Sequence, residues 1–188
     1  EVAGLYIQAS AVATLEPDPP LADLHESVHQ SKEVQTARIE FLRKRGNPAW
    51  ITVAREAAAT NDDALIQAFN ADGILERVIA RNPGIVLGAP LPFPDHEELE
   101  AAAKTLSGIA LDKNVASTFA APSANNAALA LRLLRRTDEA KFLLDRVIQK
   151  FPKAEPPRVQ RASIALTEGQ ADQALALLPA GDADPEVA

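Results

Sequence analysis

Apolar residues along this chain recur mostly at helical spacing. Between residues 99 and 106, for example, leucine and alanine occupy positions i, i+3, i+4 and i+7, which lie on one face of an α-helix. Prolines divide the pattern into blocks, because proline ends a helix and biases the preceding residue towards extended backbone. The sequence predicts helices at 20–31, 33–45, 48–59, 62–81, 95–110, 123–136, 138–151, 157–168 and 171–178. The predicted fold class is therefore all-α.

Evidence for β-strands is confined to two short apolar segments, 5–10 and 84–91, and neither has a partner with a matching pattern. The second is equally consistent with an extended connector. The overlapping segment 89–94 reads APLPFP, which favours polyproline II and predicts a stiff spacer or, alternatively, a segment that presents Phe93 as an apolar anchor. The sequence therefore predicts an irregular helical region at 1–94 that ends in this connector, and a block of helical hairpins at 95–188.

Two stretches of the chain nearly repeat each other. Residues 76–83 read ERVIARNP and residues 145–152 read DRVIQKFP, each ending in proline. A second repeat has a shorter offset: the Ala-x-x-Leu-Leu pattern at 140–144 recurs at 174–178. The shorter offset is about 34 residues and the longer one is close to twice that, which is typical of stacked helical hairpins, in which no unit can bury its apolar face alone. We call the shorter offset the repeat period.

The C-terminal part of the chain resembles the tetratricopeptide repeat, whose 34-residue unit is a helix, a short turn and a second antiparallel helix. With Pro152 at the family's terminal proline, one unit covers 121–154 and the next covers 155–188. Gly169 then falls in the turn of the second unit, where a residue free to take positive φ is useful. Small residues fall where the two helices of a unit must approach closely, at Ala128, Ala140, Ala162 and Ala174.

The chain departs from the family's pattern at several positions. Ala124 and Leu131 replace the large aromatic residues of the first helix, and Arg135 stands in place of the turn glycine. The pattern extends loosely to 71–83 and fails between 84 and 120. Generic antiparallel helical hairpins, outside the family, are the alternative interpretation of the same periodicity.

The resemblance implies a protein-binding function. In this family the first helix of each unit lines a concave surface that receives an extended segment or a helix of a partner. The residues that the resemblance places on this surface are Asn125, Leu129, Arg132, Val159, Gln160 and Ser163. An amide and a guanidinium there offer fixed donors to carbonyl and carboxylate groups. The sequence therefore predicts an interaction scaffold with a protein or peptide partner, no cofactor and no enzymatic activity.

One motif near the N-terminus indicates metal chemistry instead. Residues 25–29 read HESVH, so His25 and His29 lie one helical turn apart and both imidazoles can bind one Zn²⁺. Glu26 can act as general base for the bound water. The spacing resembles the signature of zinc metallopeptidases, whose catalytic metal takes a third protein ligand. The candidates for that ligand are Glu33, Glu40 and His96, none of which belongs to a recognisable downstream motif.

The alternative interpretation of this motif is structural. Residues 20–31 also have the pattern of an amphipathic helix, with Leu21, Leu24 and Val28 towards a core and the histidines on the polar face. A zinc-dependent peptidase, or an inactive relative of one, is therefore the second functional hypothesis, joined to the repeat block. Metal content separates the two hypotheses.

Composition limits the remaining function classes. The formal net charge of -7 argues against a nucleic-acid surface, which needs a concentrated positive face. The absence of cysteine excludes disulfides, thiol catalysis and cysteine-ligated metal centres, and it is compatible with both the cytoplasm and the periplasm. No run reaches the roughly 18 apolar residues of a membrane span, and the composition is that of a soluble chain. Because the chain begins without methionine and ends soon after Asp-Pro-Glu, we expect a processed protein or part of a longer one.

Overall fold

The computed structural model describes residues 31–87 and 89–178, so His25, Glu26 and His29 lie outside the described residues. Within them the fold is all-α, as the sequence predicts, and no β-strand is present. The helices are α1 (Lys32–Lys44), α2 (Ala49–Thr60), α3 (Ala64–Arg81), α4 (Phe93–Leu111), α5 (Ser117–Leu133), α6 (Thr137–Lys150), α7 (Glu155–Thr167) and α8 (Ala171–Leu177). None of the helices described has the length and apolar character that crossing a membrane requires.

The chain divides into two compact units, Glu1–Arg77 and Val78–Ala188. Helix α3 runs through this boundary, and the proline-rich segment 89–94 lies inside the second unit. The expectation of extended backbone at 84–91 is wrong for its first half, because Pro83–Leu87 forms a 3₁₀ helix. Short helices of this kind are common connectors between longer ones.

Helices α4 and α5 begin earlier than the sequence predicts. Helix α4 includes Pro94 in its first turn, where the missing N–H has no helical partner to lose. Helix α5 begins at Ser117 although Pro122 lies inside it and removes one helical hydrogen bond. The first turns are nevertheless retained, because Ala120 and Ala121 are buried against the rest of the unit. Tertiary packing outweighs the local effect of the proline here.

The first unit packs α1, α2 and the start of α3 around one aromatic-containing core. Its buried members are Ile39, Trp50, Ala54, Ala57, Ile66 and Phe69. The Arg43 guanidinium lies 5.0 Å from the centre of the Trp50 ring and forms a 3.2 Å ion pair with Asp72. At Gly73 a Cβ would lie 3.1 Å from Ile51 Cγ2, so the glycine permits the close approach of α2 and α3.

The second unit is a layered set of helices in which α5 is central. Helix α5 packs against α4, α6 and α7, while α6 also contacts α4 and α7, and α8 packs on α7. Five alanines of α5 are completely buried: Ala120, Ala124, Ala127, Ala128 and Ala130. Small side chains let helix axes approach closely, so α5 can lie between three neighbours.

A buried carboxylate ties the end of α3 to the start of α4. Asp95 is only 8% exposed, and its two oxygens are occupied by Arg81 at 3.0 Å and by the donated Nδ2–H of Asn82 at 2.7 Å. Arg81 also reaches Glu98 at 2.8 Å. A buried charge is tolerated only when it is paired and hydrogen-bonded, so this contact fixes the start of α4 within the second unit.

The α5–α6 and α7–α8 turns have the same backbone conformation at positions one repeat period apart. Arg135 has a φ of 63° and Gly169 a φ of 75°. In each turn the N–H of the next residue donates to the carbonyl five positions earlier, at 2.8 Å and 2.9 Å respectively. This is the Schellman pattern of helix termination. The arginine at position 135 therefore adopts the conformation for which the family's pattern uses glycine.

Candidate functional site

The residues predicted to bind a partner lie on two helices that pack against each other: Asn125, Leu129 and Arg132 on α5, and Val159, Gln160 and Ser163 on α7. Residues separated by three or four positions share a helix face, so the three on α5 form one stripe along that helix. On α7, Val159 and Ser163 form the equivalent stripe, one repeat period after Asn125 and Leu129, with Gln160 beside it.

These side chains are partly exposed and partly packed against their neighbours. Val159 is 51% exposed, and the other five predicted residues are half-buried. The Nδ2–H of Asn125 donates to Asn126 Oδ1 at 3.1 Å, which leaves a second N–H and the carbonyl oxygen of Asn125 for other partners. A half-buried side chain is held by its neighbours and still presents a surface, which suits a binding residue.

Leu166 extends the α7 stripe and was missed at the sequence level. It lies seven positions after Val159 on the same face of α7 and is 59% exposed. The signal was available, because Leu166 lies one repeat period after Arg132. We call the surface formed by Asn125, Leu129, Arg132, Val159, Gln160, Ser163 and Leu166 the α5–α7 face.

A pocket of about 520 Å³ lies where the N-terminal ends of α5 and α7 meet the C-terminal end of α6. Its lining includes Thr118, Pro122, Lys150, Phe151, Lys153 and Pro156. The Lys150 ammonium donates to the carbonyl of Asp112 at 2.6 Å and lies 4.7 Å from the centre of the Phe151 ring. We call this the lysine pocket. No sequence pattern predicted it, because its walls come from three separate segments.

A second pocket of about 500 Å³ lies between α4 and α6. Its apolar lining includes Leu131, Leu143 and Phe142, the last of which is 62% exposed. At its rim Arg136 bridges Glu100 at 3.0 Å and Glu139 at 2.6 Å. The hydrogen bond and the charge of Arg136 lower the pKa of the Glu139 carboxyl. Because these rim charges are paired with one another, this pocket offers a partner mainly apolar surface.

Metal-binding groups are dispersed in the part of the chain that the structure describes. No cluster of three or more histidine, aspartate or glutamate side chains suited to a metal occurs among residues 31–87 and 89–178. Of the three candidate third ligands, Glu33 and His96 are exposed, while Glu40 lies 3.8 Å from Lys44 in an ion pair. The zinc hypothesis therefore depends on His25, Glu26 and His29, which lie outside the described residues.

Comparison with known proteins finds no matching family model, no similar curated protein and no similar solved structure. The function must therefore be inferred from the residues and geometry of this chain. The resemblance to tetratricopeptide repeats stays a prediction based on the repeat period. The zinc motif likewise stays a prediction.

Proposed function

We propose that this chain is a protein-interaction scaffold whose α5–α7 face binds a segment of a partner protein. The observation that carries the proposal is the pair of stripes, one repeat period apart, on two helices in contact. Single exposed apolar side chains are ordinary on a protein surface. Here Val159 and Leu166 are both more than half exposed on one face of α7, and Leu129 is half-buried on the neighbouring α5.

The chemistry of the face suits a short stretch of polypeptide. Leu129, Val159 and Leu166 supply apolar surface, while the amides of Asn125 and Gln160 can pair with a partner's backbone. The Arg132 guanidinium has five N–H donors in a fixed plane, which suits a carboxylate or a carbonyl. From Asn125 to Arg132 the α5 stripe is about 10 Å long, so about three residues of an extended segment lie along it.

We expect the Asn125→Ala, Arg132→Ala double variant to bind the natural partner at least about tenfold more weakly, a loss of about 1.4 kcal/mol. The variant removes the side-chain N–H donors that α5 would offer to the partner. Alanine favours helical backbone, so α5 itself should be retained. The partner would be isolated with the 188-residue chain, purified, and titrated against both proteins by calorimetry.

Stability must be checked alongside affinity, because a partly unfolded variant would also bind weakly. We expect the melting temperature to change little, since both side chains are half-exposed. A Lys104→Ala, Arg146→Ala variant, which truncates two polar side chains on α4 and α6, should bind like the parent. Unaltered affinity of the Asn125, Arg132 variant would contradict the proposal and move attention to the proline-rich segment 89–94.

The alternative function is that of a zinc-dependent peptidase with His25 and His29 as ligands and Glu26 as general base. We expect the purified chain to contain no stoichiometric zinc, because two histidines without a third protein ligand bind the metal weakly and exchangeably. Elemental analysis measures this directly. One zinc per chain, lost on His25→Ala or His29→Ala, would favour the peptidase over the scaffold.

A further inference from the structure

The lysine pocket continues the α5–α7 face at its end. Along α5, Thr118, Pro122 and Asn125 are separated by four and three positions, so the pocket wall and the face belong to one stripe. Along α7, Pro156 precedes Val159 by three positions, again on a shared face. At 1.5 Å per residue, about 4.5 Å along the helix axis separates pocket from face on each helix. A segment bound along the face therefore reaches the pocket.

The pocket has a charge opposite to that of the chain as a whole. Among its described lining residues, Lys150 and Lys153 are charged and none is acidic, although the chain carries a net charge of -7. Its other walls are largely apolar, formed by Phe151 and by prolines such as Pro122 and Pro156. Charge complementarity therefore favours a ligand that combines a negative group with an apolar one.

The cationic group at the pocket already has two contacts within the chain. The Lys150 ammonium uses one of its three donors on the Asp112 carbonyl at 2.6 Å, and the Phe151 ring lies beside it. Two donors remain for a ligand. Lys150 is exposed, and these two contacts orient its ammonium, which lowers the side-chain entropy left to lose on binding. The proline rings at the walls have fixed φ, which adds to this rigidity.

We infer that the partner segment carries an acidic side chain next to an apolar one, and that the lysine pocket receives this pair. This inference rests on the proposed function, since it specifies the chemistry of the segment bound by the α5–α7 face. The volume of about 520 Å³ is that of a site for a small group of atoms, large enough for a carboxylate and one apolar neighbour. Nucleic acid and anionic membranes need broader positive surfaces than two lysines supply.

The test uses three fluorescein-labelled synthetic peptides of about eight residues, enough to span the face and the pocket in extended form. Leucine alternates with glutamate in the first, with glutamine in the second and with lysine in the third. Binding to the full chain is measured by fluorescence anisotropy at low ionic strength, where charge interactions are least screened. We expect the glutamate peptide to bind at least about tenfold more tightly than the glutamine peptide.

The Lys150→Gln, Lys153→Gln double variant should lose this preference while binding the glutamine peptide like the parent. The Lys153→Gln single variant keeps the Lys150 contact with Asp112 and should lose part of the preference without a change in melting temperature. As a matched control, Lys104→Gln with Arg146→Gln removes the same charge from α4 and α6. It should leave the preference unchanged, which excludes an effect of net charge alone.

The outcomes separate the pocket from the face. The inference is overturned if the glutamate peptide is not the preferred one or if no peptide binds. It is equally overturned if the preference for the glutamate peptide survives in the Lys150, Lys153 double variant. It is also overturned if duplex DNA or phosphatidylserine vesicles compete as well as the glutamate peptide. Loss of all peptide binding in the Asn125→Ala, Arg132→Ala variant supports the face independently. If that variant binds normally while the lysine variants lose the preference, the pocket stands and the proposed role of the face fails.

Discussion

Replacing Leu144 with alanine is expected to lower the free energy of unfolding of the second unit by roughly 2 to 5 kcal/mol. Leu144 is completely buried on α6, and α6 packs against α4, α5 and α7. Two contributions add up. The variant no longer gains the free energy of burying the removed leucine atoms, and the cavity that they leave costs further free energy. With three neighbouring helices in place, the cavity cannot collapse fully. Urea unfolding followed by circular dichroism measures the change.

Phe142→Ala on the same helix is the matched comparison. It removes a larger side chain, but Phe142 is 62% exposed and its described ring contact is with Arg146 at 5.8 Å. Exposed substitutions of this kind cost little, and an exposed cation–π contact contributes about 0.5 to 1 kcal/mol. We therefore expect a loss below about 1 kcal/mol. Equal losses of unfolding free energy for Leu144→Ala and Phe142→Ala would mean that α6 does not pack its Leu144 face against the core.

The helices within the described part of the chain were largely predictable because their apolar spacing survives in the final packing. Helix α6 was predicted at 138–151 and spans Thr137–Lys150, and α8 was predicted at 171–178 and spans Ala171–Leu177. The start of α5 was not predictable. Proline at position 122 locally disfavours a helix, and only burial of the alanines around it, a tertiary effect, retains the first turns.

The candidate site also has a part that was predicted from the sequence and a part that was not. The stripes on α5 and α7 were predicted from the resemblance to the tetratricopeptide repeat, and the helical spacing of their residues is consistent with a shared face. Leu166 needed only the repeat period to be found. The lysine pocket could not be foreseen, because Thr118, Lys150 and Pro156 meet only after α5, α6 and α7 have packed. The spacing of residues within one helix does not predict where another helix will pack against it.

Enlarging Ala140 or Ala174 to leucine is expected to destabilise the second unit by roughly 1 to 3 kcal/mol in each case. Ala140 is completely buried on α6, and Ala174 is 1% exposed on α8, in a small core with Ala162 and Ala165 of α7. Leucine adds a bulky branched group at a helix contact that alanine already fills. The neighbouring helices must then separate, or the new side chain must take a strained rotamer.

Ala176→Leu provides the control for the second hairpin, because Ala176 is exposed on α8 and leucine there should change stability by less than about 0.5 kcal/mol. Thermal and urea unfolding of all three variants would be compared with the parent. If Ala140→Leu and Ala174→Leu unfold like the parent, the register set by the repeat period is wrong. Since Ala140 and Ala174 hold equivalent positions in that register, losses at both favour two hairpins packed alike. A loss at Ala140 alone would mean that α8 separates from α7 readily, leaving α5 and α6 as the only firmly packed hairpin of the pair.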